Sequence, residues 1–264
     1  QNVTSAIHLG HVKTINNILY FGFKRYMYNY VKHIHCPSEM IANQLIKHNY
    51  KNAVYHVISN GVTDYWHPVE SHKPEELKDK FIVTMVGRLS PEKRQDLIIK
   101  AVAKSKYNDK IQLVLCGQGP SKEHYHKLAK KRGLANPLIT KFCKQEELRE
   151  TLCYTDLYVH ASDFEIEGIA AIEAFACGAV PVIGNSSQSA TPTFALDEKC
   201  LFKHGNVSSL RKRIEYFYEH PDEIAALKDK YIALADQYRL PLMVDKMEKM
   251  FEEAVEDKKN GQDL

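Results

Sequence analysis

No two of the six cysteines form a C-x-x-C pair; Cys36, Cys116, Cys143, Cys153, Cys177 and Cys200 are scattered, most of them in apolar runs. That spacing excludes a four-ligand zinc framework or a disulfide scaffold and points to reduced core thiols in a cytosolic protein. Long apolar runs are also missing. None reaches the ~18 residues that cross a bilayer, and no signal peptide opens the chain. Net charge is only +3 over 264 residues, too little for a nucleic-acid footprint, so no nucleic acid is expected as a partner. There is no internal repeat and no low-complexity tract.

Two nucleotide-binding signatures are absent as well. No G-x-x-x-x-G-K-[ST] loop occurs anywhere. The stretch CGQGPSKEHY (116–125) begins as a dinucleotide fingerprint with Gly117 and Gly119, then places Pro120 next and Lys122 at the third glycine position. The strand that follows ends in ITKFCK, with no acidic residue to take a ribose. A dehydrogenase or a P-loop enzyme is not expected on these grounds.

What is present is a regular alternation. FIVTMVG (81–87), IQLVLCG (111–117), DLYVHAS (156–162) and AVPVI (179–183) are short apolar, β-branched runs. Helical patterns at 93–105, 121–132, 145–153 and 169–177 lie between or after them. Such alternation predicts an α/β fold with a parallel sheet covered on both faces. A smaller unit comes first, with strands at HIHCPS (33–38) and VYHVIS (54–59) and a helix capped by Ser38 running from Glu39 to about His48. Residues 60–76 are turn-rich and read as a linker. Near the end, Met243, Met247, Met250 and Phe251 are expected on one helical face.

Charged residues cluster where strands should end. In VGRLSPEKRQ, Gly87 closes a strand, Arg88 sits in the turn, and Lys93 falls near the first turn of the next helix. Ligands of open α/β sheets bind beyond the carboxyl ends of the strands, and two cations there suit a diphosphate. In HASDFEIEGIAAIEAFACG, Ser162 and Glu165 fall at a strand end, Gly168 at a helix start, and Glu173 among Ile172, Ala174 and Phe175. Burying that carboxylate is costly unless something pairs with it. Amides at Gly168 and Ile169 would hold an anion, Glu173 would accept two ribose hydroxyls, and Glu165 would reach a second polyol. The competing reading is a salt bridge from Glu173 to a lysine at the edge of the core. Two other clusters carry little. His33, His35 and Cys36, or His124 and His126, lack the spacing of a closed metal site. The aromatic and basic stretch 16–33, with Lys24, Arg25 and Lys32, reads as a core helix with a basic rim, a membrane-interface helix being the alternative.

The ordered set CPSEMIANQL…VISNGV, VGRLSPEK and ASDFEIEGIAAIEAFACGAVPVI resembles the retaining GT-B glycosyltransferases marked by an E-x7-E motif, over about residues 33–255. The segment SSQSATPTFALDEKCLF (186–202) looks like a bacterial subgroup that glucosylates lipids such as diacylglycerol. The resemblance implies that Gly87, Arg88 and Lys93 meet the donor diphosphate, Glu165 the sugar, Glu173 the ribose, and the amides of Gly168 and Ile169 the phosphate oxygens. Phe142, Cys143, Lys144 and Glu147 would flank the base. Glu165, Arg88 and Lys93 would be the catalytic set, with no metal ligand and no cofactor. Glu167 departs from the family pattern, which has an aromatic or small residue there, and would make the donor pocket more acidic.

By the same likeness, residues 1–62 are the C-terminal part of an acceptor-side Rossmann-like domain and 63–76 a linker. Residues 77–240 form the donor-binding domain, and 241–264 a helix crossing back to the first domain, with a frayed tail. The expected reaction moves a hexose from a nucleoside-diphosphate sugar such as UDP-glucose to a glycan or lipid hydroxyl. It would take place in the cytoplasm, with peripheral association at the inner face of the cell membrane. Because most of the first domain is missing, the chain alone is expected to bind donor without transferring sugar. The rival expectations are a sugar-nucleotide epimerase or phosphorylase on the same fold, and a non-catalytic nucleotide-sugar binding module.

Overall fold

The computed structural model describes residues 21, 22, 25, 30–47 and 53–261. They belong to two compact units, one made of the residues up to Asn60 together with those from Pro241, the other of Gly61–Leu240.

In the first unit, β1 (His33–Cys36) and β2 (Val54–Val57) pair in parallel, with His35 opposite His56. Helix α1 (Glu39–Lys47) joins them, and Ser38 Oγ accepts from the Ile41 amide at 3.4 Å, as an N-cap does. Cys36, Ala42 and Leu45 form a small buried cluster. The last helix, Leu240–Lys259, packs Met243, Met247 and Met250 with Ile58. Phe251, expected on the same face, is 57% exposed. It follows Met250 by about 100° of helical rotation, which turns it away once Met243 and Met250 set the buried stripe. The aromatic stretch 16–33 falls largely outside the described residues.

The second unit is built on a six-stranded, all-parallel sheet in the order β5-β4-β3-β6-β7-β8. Its strands are β3 (Phe81–Val86), β4 (Ile111–Cys116), β5 (Ile139–Lys141), β6 (Leu157–His160), β7 (Pro181–Gly184) and β8 (Leu201–Phe202). Every residue of β4, β6 and β7 is buried, as strands covered on both faces must be. Strand parity separates the two faces. Val83, Met85, Leu113 and Leu115 join the main core, whereas Ile82, Val114 and Cys116 pack with Leu77, Leu148 and Ile139. Helices α2 (Gln95–Ala103), α3 (Lys122–Arg132), α4 (Gln145–Cys153) and α5 (Ile169–Ala176) alternate with the strands, followed by α6 (Val207–Glu219) and α7 (Pro221–Asp236). Numbered in sequence, the C-terminal helix Leu240–Lys259 is α8. Trp66, within the stretch expected as a linker, is 4% exposed in the main core.

Helix α2 begins later than its sequence pattern predicts. Pro91–Lys93 form a separate 3₁₀ turn, and Arg94 takes a left-handed conformation (φ 56°) that breaks it from α2. Proline at the first position of that turn favours the early start. Gly117 explains the failed fingerprint. A Cβ there would stand 2.0 Å from the Gly87 carbonyl oxygen, so the glycine serves close packing of the β4 loop against the β3 loop. Backbone bonds from Gly87 to Cys116 O (2.9 Å) and from Leu89 to Gln118 O (2.8 Å) tie the two loops together.

Candidate functional site

The chain leaves β3 toward β4 and β5 on one side, then returns to place β6 on the other. The crevice beyond the carboxyl ends of β3 and β6 is therefore the switch point of the sheet, where open α/β folds take ligands. Lys93 and Glu165 meet there. Lys93 Nζ donates to Glu165 Oε2 at 2.5 Å, with about a fifth of each side chain exposed (22% and 20%). Two more bonds join the same loops: the Asp163 amide donates to Glu92 O (2.9 Å), and Arg94 Nη1 donates to Asp163 Oδ1 (2.8 Å). Arg88 lies beside them, exposed, its carbonyl held by Gln95 Nε2 at 2.8 Å.

Beneath Glu165 lie His160 and Tyr158, which sequence reasoning did not single out. His160, 2% exposed at the end of β6, places Nε2 3.4 Å from Glu165 Oε2. Its Nδ1 is 3.4 Å from the hydroxyl of the fully buried Tyr158. His160 Nε2 and Ser162 Oγ are buried without a well-formed hydrogen bond among the described residues, so polar capacity in this crevice is left over. Polar residues closing an otherwise fully buried strand were the signal that the sequence offered. Burial alone would raise the Glu165 pKa. His160 and then Lys93 outweigh it and hold the carboxyl well down, at about 2.

Glu173 behaves in the opposite way. It projects from the second turn of α5, between the buried Ile172 and Ala174, and no hydrogen bond or ion pair reaches its carboxyl among the described residues. The salt bridge to a core-edge lysine is therefore not formed. Burial, the sole cause, pushes its pKa up to about 7. The charges of Glu165 and Glu173, after burial, both raise the pKa of Tyr158.

Gly168 caps α5 with φ 96°, and its carbonyl accepts the amides of Ala171 and Ile172. The amides of Gly168 and Ile169 thus precede the first intrahelical donor, the Ala171 amide, and lie at the crevice end of the helix. A Cβ on Gly168 would lie 2.4 Å from Thr191 Cγ2. Gly168→Ala is expected to cost about 1–3 kcal/mol through strain and overpacking, read as a lower urea midpoint at unchanged slope.

The remaining expected residues lie at the other edge of the sheet. Phe142 is 70% exposed after β5, Cys143 meets Cys116 at the end of β4, and Lys144 precedes α4. Glu147 accepts from Lys141 Nζ at 3.2 Å. Three strand spacings of about 4.8 Å separate β5 from β6, so the crevice rim runs roughly 14 Å from the Phe142 loop to Glu165. Glu167 is 6% exposed and close enough to raise the pKa of Tyr238, behind the effect of burial. Among the described residues no helix is long and apolar enough to cross a membrane.

With this geometry the chain was compared with known proteins. The family model for glycosyl transferases group 1 matches residues 68–233. The catalytic domain of cholesterol-alpha-glucosyltransferase from Helicobacter pylori is 43% identical, over 60% of this chain and 98% of that one, with a TM-score of 0.57. The HepE protein of Anabaena, solved in complex with UDP, is 18% identical over 92% of this chain and 69% of its own, with a TM-score of 0.77, a likeness of fold. The phosphatidylinositol N-acetylglucosaminyltransferase GPI3 subunit of Saccharomyces cerevisiae is 29% identical over 113 residues, 42% of this chain. That match spans only 25% of the yeast protein's length.

Proposed function

The chain belongs to the glycosyl transferases group 1 family, and we propose that it is the donor-binding part of a retaining glucosyltransferase acting on a lipid hydroxyl. The observation that carries this reading is Glu173, a mostly buried carboxylate without a partner among the described residues, one turn into a helix whose amides face the crevice. Such a group is costly until two hydroxyls donate to it, and a ribose supplies two adjacent ones.

The rest of the crevice fits the same ligand. Arg88, Lys93 and the amides at Gly168 and Ile169 would neutralise the diphosphate as it leaves, and Glu165 would accept hydroxyls of the sugar. Phe142, Cys143, Lys144 and Glu147 would border the base, with Gly87 leaving room for the phosphates. In the reaction the sugar C1–O bond to phosphate breaks and a new C1–O bond to the acceptor forms on the same face. The acceptor's proton passes to the departing phosphate oxygen. Glucose and a lipid acceptor rest on the 43% identity to an enzyme named for alpha-glucosyl transfer to cholesterol. A lipid acceptor also fits peripheral attachment to the inner face of a membrane.

The test is transfer by the full-length enzyme, of which this chain is the donor-binding part, from UDP-glucose to cholesterol or diacylglycerol in vesicles, followed by mass spectrometry, with GDP-mannose and UDP-N-acetylglucosamine as competing donors. A glucosyl lipid is expected, at equal rate in excess chelator and in magnesium, because the cations and helix amides already provide the positive potential. Strict dependence on added metal, or transfer from GDP-mannose only, contradicts the proposal.

A further inference from the structure

Three side chains from distant segments of the first unit converge beside β1 and β2. His33 Nδ1 lies 2.9 Å from His56 Nε2, with the rings stacked 5.2 Å apart. One nitrogen of each ring and a carboxylate oxygen of Glu253, on α8, fall within 4.8 Å of one another. Behind this group, His33 Nε2 meets Asp257 Oδ2 at 2.9 Å, and Lys32 Nζ donates to the same oxygen at 2.7 Å.

His33 Nε2 faces Asp257 Oδ2, so its Nδ1 is the nitrogen turned toward His56. Two imidazoles, a nearby carboxylate, and a second carboxylate gripping the far nitrogen of one ring form the donor set of a nitrogen-and-oxygen metal site.

We propose that His33, His56 and Glu253 bind a divalent transition-metal ion of the zinc class, with Asp257 orienting His33 from behind. Two ring nitrogens 2.9 Å apart subtend about 90° at an ion about 2.05 Å from each. Glu253, 60% exposed, can swing to complete the third contact, and water fills the open side. The ion would tie α8 to the first two strands by joining His33 and His56 to Glu253, beside the direct contact of His33 with Asp257, 224 positions away in sequence. All of these residues belong to the first unit, whereas Lys93, Glu165 and Glu173 belong to the second. The site stands whether or not the donor reading does.

Zinc sulfate is titrated into the full chain at pH 7.5 in competition with a chromophoric chelator, and thermal unfolding is followed in the same series. One tightly held zinc ion per chain is expected, with a rise in Tm. His56→Ala and Glu253→Gln are each expected to weaken binding by at least about tenfold, and Asp257→Asn by about tenfold. Glu253→Gln alters an exposed side chain and keeps the test valid should His56→Ala fail to fold. His124→Ala, at an exposed position on α3, should change nothing. Absence of stoichiometric binding, unchanged affinity in Glu253→Gln, or an equal loss in His124→Ala overturns the proposal.

Discussion

Glu173→Gln is expected to make the ligand-free protein more stable at pH 8, by about 1–3 kcal/mol, while weakening nucleotide-sugar binding. The gain follows from a carboxyl that ionises near pH 7 in the folded chain against 4.5 when unperturbed. Below pH 4.5 both states hold the proton and Glu173 contributes nothing. Between 4.5 and 7 the folded state keeps a proton that the unfolded state has released, so stability falls as pH rises. Above 7 the whole penalty, about 3 kcal/mol, is present. Urea unfolding at pH 4 and pH 8 reads the difference: the gain should be near zero at pH 4 and full at pH 8. Glutamine keeps a polar amide in the same place, which limits the gain. A Glu173 that served a structural ion pair would give the opposite sign at pH 8. Ribose hydroxyls donate best to the ionised carboxylate, so donor affinity should also rise between pH 6 and 8 in the wild type and stay level in the variant.

The second large effect concerns the pair across the switch point. Lys93→Met should destabilise the chain by about 2–3 kcal/mol, since it leaves Glu165 largely buried with only His160 nearby. Pairing it with Glu165→Gln should recover most of that loss, because no stranded charge remains. Donor binding should recover in neither, as the diphosphate has lost one of its two cations in both. Acid sensitivity separates them further. The stability that Glu165 confers is present above pH 4.5 and is lost as pH falls toward its folded value of about 2. Lys93→Met should lose part of that acid-dependent stability, and the double variant all of it. If Lys93→Met is as stable as the wild type and binds donor equally, the pair is incidental.

The central sheet was legible in the sequence because parallel strands buried on both faces appear as uninterrupted apolar runs, as in IQLVLC. The strand β8, Leu201–Phe202, is too short to carry such a run. Helices α6 and α7 were left unassigned, although Leu210, Ile214 and Phe217, and Leu227, Tyr231 and Ala235, carry the helical spacing that buries them. In the crevice, Glu173 stood out because it interrupts an apolar helix. Its lack of a partner required coordinates, since a nearby lysine was an equally good reading of the sequence. His160 was missed because a histidine ending a buried strand gives no sign of what it faces. The His33, His56 and Glu253 group was invisible for a different reason. Its ligands come from two paired strands and a helix that only the fold brings together, and no spacing rule covers that.

The most direct test of the donor site is a calorimetric titration of UDP-glucose into the full chain in excess chelator, with Glu173→Gln run alongside. Saturable one-to-one binding is predicted for the wild type, weakened by about tenfold or more in the variant, as loss of charged hydrogen bonds worth about 1.5–3 kcal/mol requires. Equal affinity in a folded Glu173→Gln protein, or no binding of UDP-glucose, UDP or GDP at millimolar concentration, would contradict the account.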